Sequence, residues 1–207
     1  TPTLYDKNSL QEWDWEDVNL LKESQGVRPH LNTDSIQYNV IQTLVRQDYD
    51  IVYDDDNAGE IADVITLKLI ENEIHVELYH LKFAHEGKIT SQIANFYEVC
   101  GQAQKSANWK YKEAEEMLNH LLRREIKKSS NGDECSRIYK GTHEKLIELM
   151  KLAKRKLPVK YSVFIVQPGV SKDSVSDEIL SLLGVTESFL KERTGIELKV
   201  IVNKKSL

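Results

Sequence analysis

Two neighbouring segments carry side chains that together could hold a cation and a phosphate. Residues 59–70 (GEIADVITLKLI) contain Asp63 between apolar neighbours, and residues 73–84 (EIHVELYHLKFA) carry His80 and Lys82 two positions apart. Because side chains alternate along a strand, His80 and Lys82 would emerge on one face of the second segment. An acid that binds a hard cation and a lysine that offsets charge at phosphorus are the minimum set for phosphodiester hydrolysis.

Hydrophobic periodicity predicts the elements that must position these residues. Alternation predicts strands over 60–70 and 73–84, joined by the tight link Glu71-Asn72, so that Asp63 and Lys82 would lie on adjacent strands. The same patterns predict strands over 49–56, 160–169 and 196–203, and helices over 35–47, 91–109, 111–128, 142–156 and 174–193, the last with a potential break at Gly184. Three meandering strands followed by helix–strand units imply an α/β fold with a mixed central sheet and helices on both faces.

Length and composition favour one globular domain. The chain has 207 residues, 40% of them hydrophobic and 29% charged, which is ordinary for a soluble protein. We expect a single domain over 1–207, with residues 1–32 as an N-terminal arm or helix and residues 110–157 as a basic helical insertion within the core. Since the chain begins at Thr1 and not at Met, we also expect a fragment or a processed form.

The compartment is predicted from the apolar runs and the cysteines. No charged-then-apolar leader opens the chain, and the longest apolar runs are far too short to span a bilayer, so we expect a cytoplasmic protein with no membrane partner. Cys100 and Cys135 have no metal-ligand spacing, and we expect both to be free thiols. The sequence does not predict an oligomeric state.

The net charge of −5 conceals a marked asymmetry. Residues 105–160 hold 15 Lys and Arg against 8 Asp and Glu, whereas the remainder holds 13 basic and 25 acidic residues. An acidic body with a basic middle is compatible with DNA engaged by one face, and with an ordinary solvated helix whose charges pair with each other. The candidate phosphate contacts are Lys105, Lys110, Lys112, Arg123, Arg124, Lys127 and Lys128.

The acidic turn at 54–59 suggests a calcium loop only superficially. Asp54, Asp56 and Gly59 match part of the EF-hand pattern, but that pattern needs Asp or Asn at position 58 and Glu at position 65, with flanking helices. Ala58 and Ile65 occupy those positions, and the flanking segments are predicted strands. We therefore interpret this stretch as a turn.

The predicted element order and the residues Asp63 and Lys82 resemble the PD-(D/E)xK superfamily of restriction endonucleases and related nucleases. The resemblance covers roughly residues 33–109 and 160–203, and it implies a restriction-endonuclease-like αβββαβ core. By position, it implies that Asp63 is the metal-binding aspartate, that Lys82 is the family's lysine, and that the cofactor is Mg²⁺ or Mn²⁺.

The second acidic position of the motif falls on His80, and this departs from the family pattern. Neutral imidazole suits Mn²⁺ or Zn²⁺ better than Mg²⁺. Three outcomes stay open: His80 ligates a softer ion, His80 orients water while Glu60 supplies the missing carboxylate, or the site is degenerate and only binds nucleic acid. Glu77 is a tempting substitute, but strand parity directs it away from Lys82 unless a bulge intervenes.

Three glutamines are supporting candidates. Gln37 falls on the first helix, where some family members carry a further acid, and Gln104 falls on the core helix, where certain branches use a glutamine. A helical wheel puts Gln104 near the middle of the apolar face and Gln102 on the opposite side. An inward glutamine needs hydrogen-bond partners, which an active site or backbone groups can supply equally well.

The resemblance implies a metal-dependent nuclease that acts on DNA, with Asp63, His80, Lys82 and Gln104 as catalytic candidates and Asp63, His80 and Glu60 as metal ligands. The strings YHLK, VCGQAQ and VQPG are also similar to nuclease-like modules appended to bacterial superfamily-2 helicases. They imply a defence or DNA-processing role and a helicase partner, fused or separate. The alternatives are a catalytically degenerate nucleic-acid-binding or assembly module and a plain protein-interaction domain.

Overall fold

The computed structural model describes residues 3–130 and 136–206, apart from the side chains of 126–130. The strands are β1 (Gln11–Trp13), β2 (Gly26–Val27), β3 (His30–Leu31), β4 (Ile51–Asp54), β5 (Val64–Ile70), β6 (Glu73–Leu81), β7 (Ile138–Lys140), β8 (Val159–Ser171) and β9 (Glu197–Asn203). The helices are α1 (Ile36–Val45), α2 (Ala94–Lys105), α3 (Ala107–Lys110), α4 (Ala114–Ser130), α5 (His143–Lys154) and α6 (Asp177–Thr194). Cys100 is buried and free, while Cys135 lies outside the described residues.

Seven strands form one mixed sheet in the order β1-β9-β8-β6-β5-β4-β7, and β2 and β3 form a separate hairpin. The pairs β4–β5 and β5–β6 are antiparallel, whereas β6–β8, β8–β9 and β1–β9 are parallel. The predicted α/β class with a mixed central sheet is confirmed. Among the described residues, no helix is both long and apolar enough to cross a bilayer.

The two faces of the sheet carry separate hydrophobic clusters, because strand side chains alternate. On β6, Val76 and Leu78 belong to the larger cluster, which includes residues of α2, α4, α5 and α6. Tyr79 and Leu81 belong to the smaller one, which includes the buried stripe of α1. Helices therefore cover both faces, as predicted, and the predicted parity of β6 is confirmed.

Helix α1 begins where its cap is satisfied. The Ser35 side chain accepts a hydrogen bond from the Tyr38 N–H at 3.1 Å, which pairs one of the free donors of the first turn. The helix then buries residues at helical spacing: Ile36, Val40, Ile41 and Leu44. The helix is the one predicted over 35–47, and its buried side chains belong to the smaller hydrophobic cluster.

The N-terminal arm is a packed, mostly non-helical segment. Strand β1 pairs in parallel with β9, and the Tyr5 N–H donates to the Leu180 carbonyl at 2.9 Å. A Cβ added at Gly184 would lie 1.9 Å from the Thr3 carbonyl oxygen, so the glycine lets the arm cross α6 closely. The predicted break at Gly184 is wrong because this glycine serves packing inside an uninterrupted helix.

The segment 110–157 contains a strand as well as helices. Within the loop predicted between α4 and α5, β7 pairs antiparallel with β4 and forms an edge of the sheet. The expectation of a purely helical insertion is therefore wrong at these three residues. Through β7 and α4 the segment also reaches the loop between β4 and β5, which carries the candidate site.

Candidate functional site

Three carboxylates converge in the loop between β4 and β5. One oxygen from each of Asp56, Glu60 and Asp63 lies within 4.8 Å of the others, and these residues are respectively partly buried, exposed and buried. Glu60 and Asp63 precede β5, which starts at Val64 and not at residue 60 as predicted. The loop conformation, and not strand alternation, brings the three acids together.

A buried ion pair between Asp55 and Arg124 stabilises the loop between β4 and β5. The Asp55 carboxylate accepts the Ile61 N–H at 2.6 Å and lies 2.6 Å from Nε of Arg124 on α4. The same guanidinium donates to the Ala58 carbonyl at 2.8 Å and to the Asp55 carbonyl at 2.7 Å. Burial raises the pKa of Asp55, and the Arg124 charge opposes that rise. Arg124 was predicted to contact phosphate, but its contacts assign it to the loop instead.

Two further contacts fix the turn geometry. Gly59 has φ +89°, a left-handed conformation that glycine adopts without strain, and its carbonyl oxygen lies 3.0 Å from the His120 ring Nε2. The Glu60 carboxylate accepts the Asn57 N–H at 3.0 Å. Burial raises the pKa of Glu60, and the neighbouring Asp56 carboxylate raises it further.

Asp63 joins the acid cluster to the end of β6. Its Oδ2 accepts the Leu81 N–H at 2.7 Å, and its own N–H donates to the Tyr79 carbonyl at 3.0 Å. Burial raises the pKa of Asp63 well above its ordinary value; the Leu81 N–H opposes this, and the Glu60, Glu23 and Asp56 carboxylates add to it. A buried acid among acids is costly as an anion, and a cation would relieve that cost.

Lys82 continues β6 by one residue and is held between two acids. Its Nζ lies 2.9 Å from Glu98 on α2 and 3.4 Å from Glu23 in the N-terminal arm, and the side chain is 9% exposed. Burial lowers the pKa of Lys82, but Glu98 and Glu23 outweigh burial, so the net pKa is raised. Lys82 is therefore a fixed cation. Glu23 links it to the cluster, since the same carboxylate raises the pKa of Asp63.

Gln37 braces the backbone behind the cluster. Its Nε2 donates to Asp54 Oδ1 at 3.0 Å and to the Asp63 carbonyl at 3.3 Å, while its Oε1 accepts the Gln25 N–H at 2.8 Å. The side chain is buried. The structure thus brings Gln37 beside Asp63, where it supports the loop and is not itself part of the acid cluster.

His80 lies beside the acid cluster but outside it. Its Nε2 is 2.7 Å from Ser106 Oγ, at the junction of α2 and α3. Complete burial lowers the pKa of His80 to about 4, so the ring is neutral near physiological pH. The predicted role of His80 as a metal ligand finds no support in this geometry, because the converging ligand atoms belong to Asp56, Glu60 and Asp63.

The two glutamines of α2 lie on the sides expected, but the inward one, Gln104, does not reach the acid cluster. Gln104 Nε2 donates to Thr186 Oγ1 on α6 at 3.3 Å, so it serves helix packing and is not brought to the cluster. Gln102, instead, lines a cleft together with Glu60 and His80. Its Oε1 is buried and has no hydrogen-bond partner among the described residues.

This cleft has a volume of about 640 Å³ and begins at the acid cluster. Its lining residues are Glu60, Ile61, His80, Gln102, Lys105, Asn108, Trp109, Tyr111 and Lys112. Lys105 and Lys112 are exposed and are the predicted basic residues that line this cleft.

The other predicted basic residues lie elsewhere. Arg123 is exposed and lines a neighbouring cleft along α4, and Lys110 lines one beside α5. The side chains of Lys127 and Lys128 lie outside the described residues. Of the seven basic candidates, two lysines, Lys105 and Lys112, therefore line the cleft that begins at the acid cluster.

Three residues of the site were not singled out from the sequence: Asp56, Glu23 and Glu98. The run Asp54-Asp55-Asp56 was the available signal for the first, and it was interpreted only as a turn. Glu98 falls on the exposed side of α2, where helical periodicity gives it no distinction. Glu23 reaches the site through the fold of the N-terminal arm, which no local pattern predicts.

Comparison of the chain with protein-family models, curated proteins and solved structures finds no significant match. The function of the site is therefore argued from its own geometry: three converging carboxylates, the buried Lys82 directly after the Leu81 N–H that Asp63 accepts, and a cleft with basic and aromatic walls.

Proposed function

We propose that this protein is a divalent-metal-dependent nuclease that hydrolyses phosphodiester bonds of DNA. The observation that carries the proposal is the convergence of Asp56, Glu60 and Asp63 within 4.8 Å at the strand end next to Lys82. The order α1, β4, β5, β6, α2, β8 also agrees with the αβββαβ core of the PD-(D/E)xK superfamily, and we propose membership of that fold.

The donor chemistry fits Mg²⁺ or Mn²⁺. All three groups offer carboxylate oxygens, which hard divalent cations prefer. Burial, together with repulsion between the acids, raises the pKa of Asp63 and Glu60. Asp56, Glu60 and Asp63 would hold the ion. When bound, such an ion neutralises phosphate charge and lowers the pKa of a coordinated water.

The protein's own residues supply position and charge. Lys82 is a fixed cation that can stabilise negative charge developing on the phosphate, and its raised pKa argues against a role as general base. The Leu81 N–H orients the Asp63 carboxylate, and Arg124 and Gln37 keep the loop rigid. Such preorganisation avoids reorganisation during the reaction.

In this proposal, acids of the β4–β5 loop replace the motif acid whose position His80 occupies. The acid that the family motif carries two residues before the lysine is absent, and Asp56 and Glu60 provide carboxylates from the β4–β5 loop instead. Of the outcomes left open by the sequence, the geometry favours the one in which Glu60 supplies the missing acid.

The test is a cleavage assay on plasmid and linear DNA with Mg²⁺ or Mn²⁺. Wild type is compared with Asp63→Asn and Lys82→Met. Matched controls are Asp48→Asn, at an exposed acid paired with Lys68, and Lys88→Met, at an exposed lysine paired with Glu86. Cleavage by wild type and both controls, with loss in the two site variants, supports the assignment; equal cleavage by all five proteins refutes it.

A second candidate is a catalytically degenerate nuclease fold that binds nucleic acid. The observation in its favour is His80 at the motif's second acidic position, neutral and engaged with Ser106. Salt-sensitive DNA binding with no cleavage under Mg²⁺ or Mn²⁺ would favour this candidate over the nuclease.

A further inference from the structure

The cleft that begins at Glu60 is walled at its other end by aromatic rings. Trp109 of α3 and Tyr111, directly after α3, line it together with the acid. An acid cluster, basic side chains and aromatic rings therefore share one concave surface of about 640 Å³. Nothing in the proposed hydrolysis itself requires the rings.

Tyr111 presents its ring to solvent in a fixed orientation. The residue is 69% exposed, yet its hydroxyl donates a hydrogen bond to the Arg193 carbonyl at the end of α6. A ring anchored in this way loses little conformational freedom when another flat group stacks on it. An exposed aromatic ring held in this way can serve as a stacking platform for a base.

The neighbouring side chains fit a nucleotide. Lys105 and Lys112 are exposed on the cleft, and the Lys112 ammonium lies 4.5 Å from the centroid of the Trp109 ring. Its ion pair with Glu116, 3.4 Å long between exposed groups, is weak and can be exchanged for a phosphate contact.

We propose that this cleft takes a single strand of DNA, with one unstacked base against Tyr111 and the adjoining phosphates at Lys105 and Lys112. In a duplex the base faces are buried in the stack and cannot meet the ring, whereas a single strand exposes them. The inference rests on the proposed nuclease function, since it names the strand form that the same site receives.

The experiment measures fluorescence anisotropy of a labelled single strand and of the matched duplex with the full chain in Ca²⁺, with strand integrity checked on a gel. We expect tighter binding of the single strand. Tyr111→Ala should weaken that binding about tenfold, whereas Tyr111→Phe, which keeps the ring, should stay within roughly threefold of wild type. Tyr97→Ala is the matched control, because Tyr97 is 61% exposed on α2 but does not line the cleft.

Equal or tighter binding of the duplex, or single-strand binding unchanged in Tyr111→Ala, overturns the inference. Because Tyr111 is exposed, the folded state of Tyr111→Ala is expected to persist, and circular dichroism checks it. If single-strand binding depends on Tyr111 but the protein cleaves DNA with neither Mg²⁺ nor Mn²⁺, the proposed nuclease function is wrong and the present inference stands. If the protein cleaves DNA in an Asp63-dependent way but does not prefer the single strand, the present inference is wrong and the proposed nuclease function stands.

Discussion

The carboxylate of Asp63 accepts a hydrogen bond from the backbone N–H of Leu81 at 2.7 Å. This contact joins the residue before β5 to the end of β6. It binds the buried Asp63 carboxylate to the backbone of Leu81, the residue directly before Lys82. Burial and three neighbouring acids disfavour its ionised form, so the position is poorly suited to stability and well suited to holding a cation. The first two predictions follow from this conflict.

Asp63→Asn should leave the protein equally or more stable in the absence of divalent ions. The amide keeps an oxygen that can accept the Leu81 N–H, and it removes a buried charge. The raised folded-state pKa of Asp63 means that the native state binds more protons than the unfolded one, so stability falls as pH rises through that window. Thermal unfolding in EDTA should therefore show a gain that grows with pH.

Asp48→Asn is the control for that measurement, since its side chain is 93% exposed and forms a surface ion pair with Lys68. The Lys68 ammonium lowers the pKa of Asp48, so the pH dependence of unfolding should stay unchanged above the acidic range in which Asp48 itself titrates. A large loss of stability in Asp63→Asn at every pH would instead identify Asp63 as a structural residue.

Mg²⁺ or Mn²⁺ should raise the unfolding temperature of the wild type, because an ion that binds only the folded state stabilises it by mass action. At a hundredfold excess over the dissociation constant, the gain is about 2.7 kcal/mol. The rise should be larger at alkaline than at acidic pH, since carboxylate ligands must be deprotonated. Asp63→Asn should abolish most of it, and Asp48→Asn should not; equal shifts in both variants would place the ion elsewhere.

Much of the fold followed from local pattern, because those elements bury residues at regular spacing. The β5–β6 hairpin and helix α1 were predicted from alternation and helical periodicity, and both are present. Strands β1 and β7 were missed because each has three residues and depends on a distant partner. Short edge strands carry too few residues to establish a period.

The site was predicted only in part, because the conformation of its loop depends on contacts with distant residues and not on a periodic pattern in the sequence. Residues 60–63 were expected to extend β5, but the Asp55 carboxylate accepts the Ile61 N–H and the Arg124 guanidinium binds the loop carbonyls. Charge counting assigned Arg124 to phosphate because it cannot distinguish a buried arginine from an exposed one. The inward position of Gln104 was predicted, but its partner was not, because a helical wheel does not show that α6 packs against this face and supplies Thr186.

Lys82→Met should lower cleavage without removing DNA binding. Loss of a fixed charge at a transition state typically costs about 10²–10³-fold in rate. The measurement is single-turnover cleavage beside anisotropy of DNA binding in Ca²⁺. Lys88→Met, at an exposed lysine 3.1 Å from Glu86, should change neither. Parallel losses of binding and cleavage in Lys82→Met would assign Lys82 to substrate binding.

Arg124→Gln and Arg123→Gln form a matched pair, with the same substitution at adjacent positions. Breaking the pair of Arg124 with the fully buried Asp55 should cost about 3–5 kcal/mol, because the buried carboxylate loses its direct ion-pair partner. Arg123 is exposed, and its substitution should change the free energy of unfolding by no more than about 0.5 kcal/mol. Urea unfolding measures both; adding Asp55→Asn to Arg124→Gln should recover part of the loss. Similar effects at the two arginines would exclude the proposed brace.

His80 should make the protein less stable in acid. Its pKa is lowered to about 4 by burial, against an ordinary value near 6.5, so the unfolded state binds the proton first as pH falls. Stability linked to this group is fully present above the ordinary value, is lost as pH falls toward 4, and is on the order of 3 kcal/mol. The raised pKa of Asp63 makes stability change with pH in the opposite direction, so the effect of His80 is best measured in the Asp63→Asn variant.

In that background, His80→Gln should flatten the fall in unfolding free energy between neutral and acidic pH, while His85→Gln, at an exposed histidine, should leave it intact. Urea unfolding at a series of pH values in EDTA measures the slope. If His80 were a metal ligand, its substitution would also remove the stabilisation by Mn²⁺ in the wild-type background. Because its Nε2 is engaged with Ser106, we expect that stabilisation to persist, and its loss would return His80 to the metal site.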